Sequence, residues 1–143
     1  DLLKTTPNVK LIYVIPNFQN PTGLTMSLEK RKGLYELACK YDTMILEDNP
    51  YGDLRFAGEN VPSIKSMDTE GRVIYSGTFS KVLSPGMRVG FLVAPKPVIS
   101  KIVICKQVDD VHTNILAQRI CHEFLMNTDY IAHIQKLAKI CQH

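Results

Sequence analysis

RVIYSGTFSKVLSPGMRVGFLVA, residues 72–94, holds two short apolar runs, RVIYSG (72–77) and VGFLVA (89–94), around a segment rich in hydroxyls, Gly and Pro. Runs of β-branched and aromatic residues bounded by turn residues read as strands. The first run empties directly into TFSK (78–81), which sets one lysine among small and hydroxyl residues, with Arg88 seven positions on. Taken alone, Lys81 and Arg88 read equally well as solvated loop charges. The chain on either side changes the weighting.

Two earlier apolar runs end the same way. KLIYVI (10–15) stops at Pro16 and opens into PNFQNPTG (16–23), and TMIL (43–46) breaks at EDNPYGD (47–53). Between them, residues 28–41 have a helical period, with Leu34, Leu37, Ala38 and Tyr41 on one face, Ser27 as N-cap and Glu29 in the first turn. After Pro95 the pattern is helical. Val98, Ile99, Ile102 and Val103 line a first helix, Leu116, Ile120 and Phe124 a second, and Ile131, Ile134, Leu137, Ala138 and Cys141 a third. Near-continuous apolar strands alternating with helices predict an α/β fold of three layers, a mostly parallel sheet with helices on both faces. Ligands in such sheets bind beyond the carboxyl ends of the strands. The three polar clusters then lie along one rim, where Asn20, Asp48, Tyr51 and Lys81 can converge on one pocket.

Composition narrows the chemistry. The 143 residues carry 45% apolar and 22% charged side chains, the balance of an ordinary globular domain. A net charge of +3, with basic and acidic residues interspersed, gives no nucleic-acid footprint. No run approaches the roughly 18 apolar residues of a membrane span. The N-terminus has neither an initiator Met nor a signal-peptide core, so Asp1 is read as a cut inside a longer chain. Cys39, Cys105, Cys121 and Cys141 show no paired spacing, and His112, His122, His133 and His143 no metal-binding pair. No metal site or disulfide framework is expected, and four free thiols suit a reducing cytoplasm.

An amine, a carboxylate, a phenol and an amide at one rim suit a particular task. Burial or a nearby positive charge is what lowers a lysine from its usual pKa of about 10.4, and the neutral amine can then form a Schiff base with an aldehyde. Thr78 and Ser80 offer hydroxyls, and Arg88 a planar fork suited to phosphate oxygens. An aldehyde beside a phosphate cradle suggests pyridoxal 5'-phosphate, an electron sink that needs an acidic partner at its ring nitrogen, here Asp48.

QNPTG (19–23), EDNPYGDL (47–54) and SGTFSKVLSPGMRVG (76–90) resemble, in order, the three signature stretches of class I/II (fold type I) pyridoxal-phosphate aminotransferases. Asn20 and Asp48 are 28 residues apart and Asp48 and Lys81 are 33 apart, as that family's pattern has them. The resemblance covers essentially the whole chain and is closest in flavour to aromatic and 2-aminoadipate aminotransferases. It implies that Lys81 anchors the cofactor and moves the substrate Cα proton, and that Asp48 pairs with the ring nitrogen. Tyr51 and Asn20 would bond the cofactor's 3-oxygen, Asn20 also the substrate carboxylate, and Thr78, Ser80 and Arg88 the phosphate. The Asn20–Pro21 bond is often cis in the family.

The resemblance further implies exchange of an amino group between an amino acid and a 2-oxo acid, within a homodimer. Residues 1–128 would be part of the cofactor-binding large domain and 129–143 the start of the helix leading to a small domain. The isolated piece is expected to be inactive. Two other readings stay open: a lyase on the same cofactor, and the ligand-sensing domain of a transcription regulator, many of which replace the Asn of the NPTG motif. Asn114 is read first as a helix N-cap and second as a residue reaching a partner subunit's site.

Overall fold

The computed structural model describes residues 2–141, so Asp1, Gln142, His143 and the side chain of Cys141 lie outside the described residues. Four strands, β1 (Leu11–Val14), β2 (Met44–Asp48), β3 (Val73–Thr78) and β4 (Gly90–Val93), form one sheet in the order β1-β2-β3-β4. Five helices accompany them: α1 (Leu2–Thr5), α2 (Leu28–Lys40), α3 (Lys96–Asp109), α4 (Ile115–Asn127) and α5 (Tyr130–Cys141). Short 3-10 turns at Gly52–Leu54, Lys65–Met67 and Pro85–Met87 lie in the connections.

β1, β2 and β3 are parallel and in register, with Val14 beside Glu47 and Asp48 beside Ser76. Their carboxyl ends therefore share one rim, as the alternation of apolar runs and helices predicts. β4 returns the other way. Its partners descend as β3 ascends: a Cβ on Gly90 would lie 3.0 Å from the Gly77 carbonyl, and the Phe79 N–H donates to the Val89 carbonyl at 3.0 Å. The sheet is thus mostly parallel, with an antiparallel last strand.

The chain divides into two compact units, described here in turn. The first comprises residues 1–49, 61–76 and 92–96. Its core is Ala38, Ile45, Ile64 and Val73, flanked by Ile12, Val14, Leu34 and Tyr35. α2 begins where expected. The Ser27 Oγ accepts from the Lys30 N–H at 3.4 Å, and Glu29 lies in the first turn. The helix ends as Asp42 adopts a left-handed φ of 51° and the Thr43 N–H donates to the Ala38 carbonyl at 3.0 Å. β2 runs two residues past the expected break at residue 46. Ile45 and Glu47 both point inward in its alternating burial pattern, and Asp48 is its last residue.

The second unit comprises residues 50–60, 77–91 and 97–143. Its core is Val89, Ala117 and Cys121, with Phe79, Leu83 and Met87 against it. Of the α4 face expected from Leu116, Ile120 and Phe124, the first two are exposed and Phe124 is half-buried, while the adjacent Ala117 and Cys121 are buried. The small side chains let the helix approach closely, which a pattern of large apolar residues does not reveal. Asn114 caps this helix, its Oδ1 accepting from the Ala117 N–H at 3.0 Å. α3 buries none of its residues, and all four residues of β4 are exposed.

Candidate functional site

The candidate residues follow the carboxyl ends of β1, β2 and β3. Asn20 and Asp48 belong to the first unit, and Tyr51, Thr78, Ser80, Lys81 and Arg88 to the second.

In the first unit, the segment after β1 folds back on itself. The Met26 N–H donates to the Pro16 carbonyl at 2.8 Å, the Gln19 N–H to the Leu24 carbonyl at 2.9 Å, and Gly23 turns the chain at φ 70°. This places Asn20 on an exposed tip, and the Asn20–Pro21 bond is cis. The base of the loop is held from inside by Arg31, which is fully buried. Its guanidinium donates to the carbonyls of Met26 (3.0 Å), Val61 (3.2 Å), Pro62 (3.0 Å) and Pro16 (3.1 Å) and to the Asn17 Oδ1 (2.7 Å). Asn17 in turn donates to the Asn49 Oδ1 at 2.7 Å, and Asn49 to the Tyr75 hydroxyl at 2.9 Å. The loop after β1, the residue after β2 and the middle of β3 are thereby cross-linked through side chains.

Asp48 is half-buried at the last position of β2, and its Oδ2 accepts from the Tyr13 hydroxyl at 2.7 Å. The preceding residue, Glu47, faces inward and is fully buried, accepting from the N–H groups of Ile64 (2.9 Å) and Lys65 (2.8 Å). Burial raises its pKa, although those two N–H groups and the charges of Arg31 and Lys65 pull the other way.

In the second unit, the Lys81 Nζ lies 5.6 Å from the centroid of the Tyr51 ring, within cation–π range. The Thr78 Oγ1 is 3.0 Å from the Ser80 Oγ and accepts from the Ser80 N–H at 3.1 Å, so the two hydroxyls form one cluster. Arg88 ends the 3-10 turn with a left-handed φ of 53°, and one of its five donors goes to the Pro85 carbonyl at 3.2 Å. α5 ties down two of these segments. The Tyr130 hydroxyl donates to the Asp53 Oδ2 at 2.9 Å, two residues beyond Tyr51, and the His133 Nε2 meets the Val82 carbonyl at 2.7 Å, next to Lys81.

A model of the family described as aminotransferase class I and II matches residues 1–143. The chain belongs to the class I and II aminotransferases. Among its relatives, aromatic-amino-acid aminotransferase 1 of Thermococcus litoralis is 49% identical over 96% of this chain and 33% of its own length. The crystal structure of Pyrococcus horikoshii kynurenine aminotransferase, in complex with PMP, superposes with a TM-score of 0.92 at 43% identity, covering 96% of this chain and 34% of that one. An uncharacterized HTH-type transcriptional regulator, YisV of Bacillus subtilis, is 41% identical over 87% of this chain and 26% of its own. The chain spans about a third of the length of the curated aminotransferases it matches. The aminotransferase fold read from its three signature stretches is the one it has.

Tyr13, Asn17, Arg31, Glu47 and Asn49 went unread as site-supporting residues. One signal was available: Arg31 shares a helical face with Leu34 and Ala38, three and seven residues on, and a charge on an apolar face needs internal partners. Among the described residues no cluster of three or more His, Cys, Asp or Glu is placed to hold a metal, and no helix is long and apolar enough to cross a membrane.

Proposed function

We propose that this chain supplies the central part of the cofactor-binding domain of an aminotransferase that uses pyridoxal 5'-phosphate and moves an amino group between an amino acid and a 2-oxo acid. One observation carries the reading. In a class I and II aminotransferase chain, Lys81 follows the hydroxyl pair of Thr78 and Ser80 at the end of a central strand, with its amine beside the Tyr51 ring. The donor set suits the cofactor: an amine for the aldehyde, two hydroxyls and a guanidinium for the phosphate, and a carboxylate for the ring nitrogen.

When bound, the cofactor supplies an electron sink for negative charge developing at the substrate Cα. The chain supplies the rest. Lys81 would hold the cofactor through Nζ and, with that amine free, would take and return the substrate Cα proton as general base and acid. Asp48 holds a proton at the ring nitrogen. Tyr51 and Asn20 would donate to the 3-oxygen, Asn20 would also meet the substrate carboxylate, and Thr78, Ser80 and Arg88 would bind the phosphate. Residues 1–128 belong to the cofactor-binding domain, and 129–143 begin the helix leading toward a small domain. Family membership supports a homodimer, and the free thiols of Cys39, Cys105 and Cys121 support a cytoplasmic protein. The Thermococcus relative supports an aromatic amino donor, with 2-aminoadipate as the alternative to be assayed.

Borohydride reduction of the cofactor-loaded enzyme carrying this segment, followed by peptide mapping, should label Lys81. Label at another residue, or none, contradicts the assignment. The regulator relative makes a sensing domain the second reading, against which the intact Asn20 of the NPTG motif counts. Conversion of a 2-oxo acid acceptor to its amino acid over many turnovers separates the two.

A further inference from the structure

We propose that Tyr13 is the positioning residue that aims the Asp48 carboxylate; the inference rests on the reading of Asp48 as the partner of the cofactor's ring nitrogen. A carboxylate at a strand end turns about two side-chain torsions, and only some orientations present an oxygen to one fixed proton. Tyr13 removes that freedom from the neighbouring strand. In the parallel register Tyr13 is paired with Leu46, and Asp48 lies two residues on, hence on the same face of the sheet. A diagonal neighbour of this kind is within reach of a long aromatic side chain. The hydroxyl donates to Oδ2 at 2.7 Å, the usual length of an O–H···O bond.

Asn17, Asn49 and Glu47 have their bonds elsewhere. Asn17 and Asn49 bond each other, and Asn49 also bonds Tyr75. Glu47 faces the opposite side, toward the N–H groups of Ile64 and Lys65. Tyr13 is therefore the one side-chain donor recorded on Asp48 among the described residues. With Oδ2 engaged by Tyr13, Oδ1 is the oxygen presented to the ring nitrogen. The role proposed for Tyr13 is thus exercised through Asp48 rather than on the cofactor or the substrate.

The test is Tyr13→Phe in the holoenzyme carrying this segment, loaded with cofactor labelled with 15N in the ring. Phe keeps the ring, which is 56% exposed in Tyr13, and deletes the donor. The 15N resonance is expected to move toward that of an unprotonated pyridine, because a carboxylate out of line holds the ring proton less well. The dissociation constant for the cofactor should rise by about tenfold, the size of one bond to a charged group. Turnover should fall while KM for the amino donor stays near wild type. Asp48→Ala is the reference. If Asp48→Ala shifts the resonance and Tyr13→Phe leaves both resonance and affinity at wild type, the positioning role is overturned and the ring-nitrogen assignment stands. If Asp48→Ala changes neither, the assignment itself fails, and the inference with it.

Discussion

The Arg31 guanidinium donates to the Asn17 Oδ1 at 2.7 Å, joining the first turns of α2 to the loop that leaves β1, with both residues buried. Four backbone carbonyls share the same guanidinium. A charge removed from water is tolerated when its donors are satisfied in this way, and removing it strands every acceptor at once.

Arg31→Met should therefore cost about 3 kcal/mol or more. The loss should appear locally as faster amide exchange at Met26, whose N–H closes the loop onto Pro16, by roughly a hundredfold. Arg31→Lys keeps the charge but lacks the planar fork and should recover little of the protection. Unchanged exchange in Arg31→Met would show that the loop is held by other means.

Glu47 makes stability depend on pH. Its pKa in the folded chain is raised above the ordinary 4.5, chiefly by burial. The folded state therefore binds the proton more tightly than the unfolded one, and the contribution is fully present below about 4.5. It is lost as pH rises through the raised value, by at most about 1.4 kcal/mol per pH unit. Denaturant unfolding of wild type and Glu47→Gln across a pH series should show the wild-type advantage shrinking with rising pH. An advantage that grows with pH contradicts the sign.

Gly77 leaves room for an aromatic ring. A Cβ at this position would overlap the ring of Phe91 on the neighbouring strand, with Phe91 ring carbons at 2.6 and 2.8 Å. Gly77→Ala should destabilise by about 1–3 kcal/mol through overpacking. Adding Phe91→Ala should return part of it, giving a coupling of roughly 0.5–3 kcal/mol in a double-mutant cycle. Strict additivity would mean that the ring swings aside freely.

The thiols should separate by reactivity. Cys105 is exposed on α3, whereas Cys121 is buried in the second unit's core, where burial pushes its thiol pKa up. The thiolate is the reactive species, so iodoacetamide should mark Cys105 first and Cys121 only in denaturant. Peptide mapping over time reads the order directly, and early label on Cys121 would place it outside the core.

What was legible followed local rules. Strand identity, the parallel rim, the start of α2 at Ser27 and the Asn114 cap all depend on residues within one or two turns of one another. The misjudged features depend on distant partners. β2 continues through Glu47 because N–H groups 17 and 18 residues away satisfy its carboxylate, and no local window contains them. The α4 face is displaced because Val89 and Phe79 meet small residues on it. The candidate site divides in the same way. Motifs marked the residues read as touching the cofactor, while the bonds that tie the supports together, Tyr13 to Asp48, Asn17 to Asn49 and Arg31 to Asn17, span 14 to 35 residues.

The exposed row Phe91, Leu92 and Val93 on β4 carries a further consequence. β4 closes one edge of the sheet, and it has no charge or proline between Gly90 and Val93 to discourage pairing. An apolar edge of this kind is a template for another strand. Wherever that edge is left open, this polypeptide can associate with further copies by sheet extension. A lysine in place of Leu92 is the gatekeeper that would keep it dispersed.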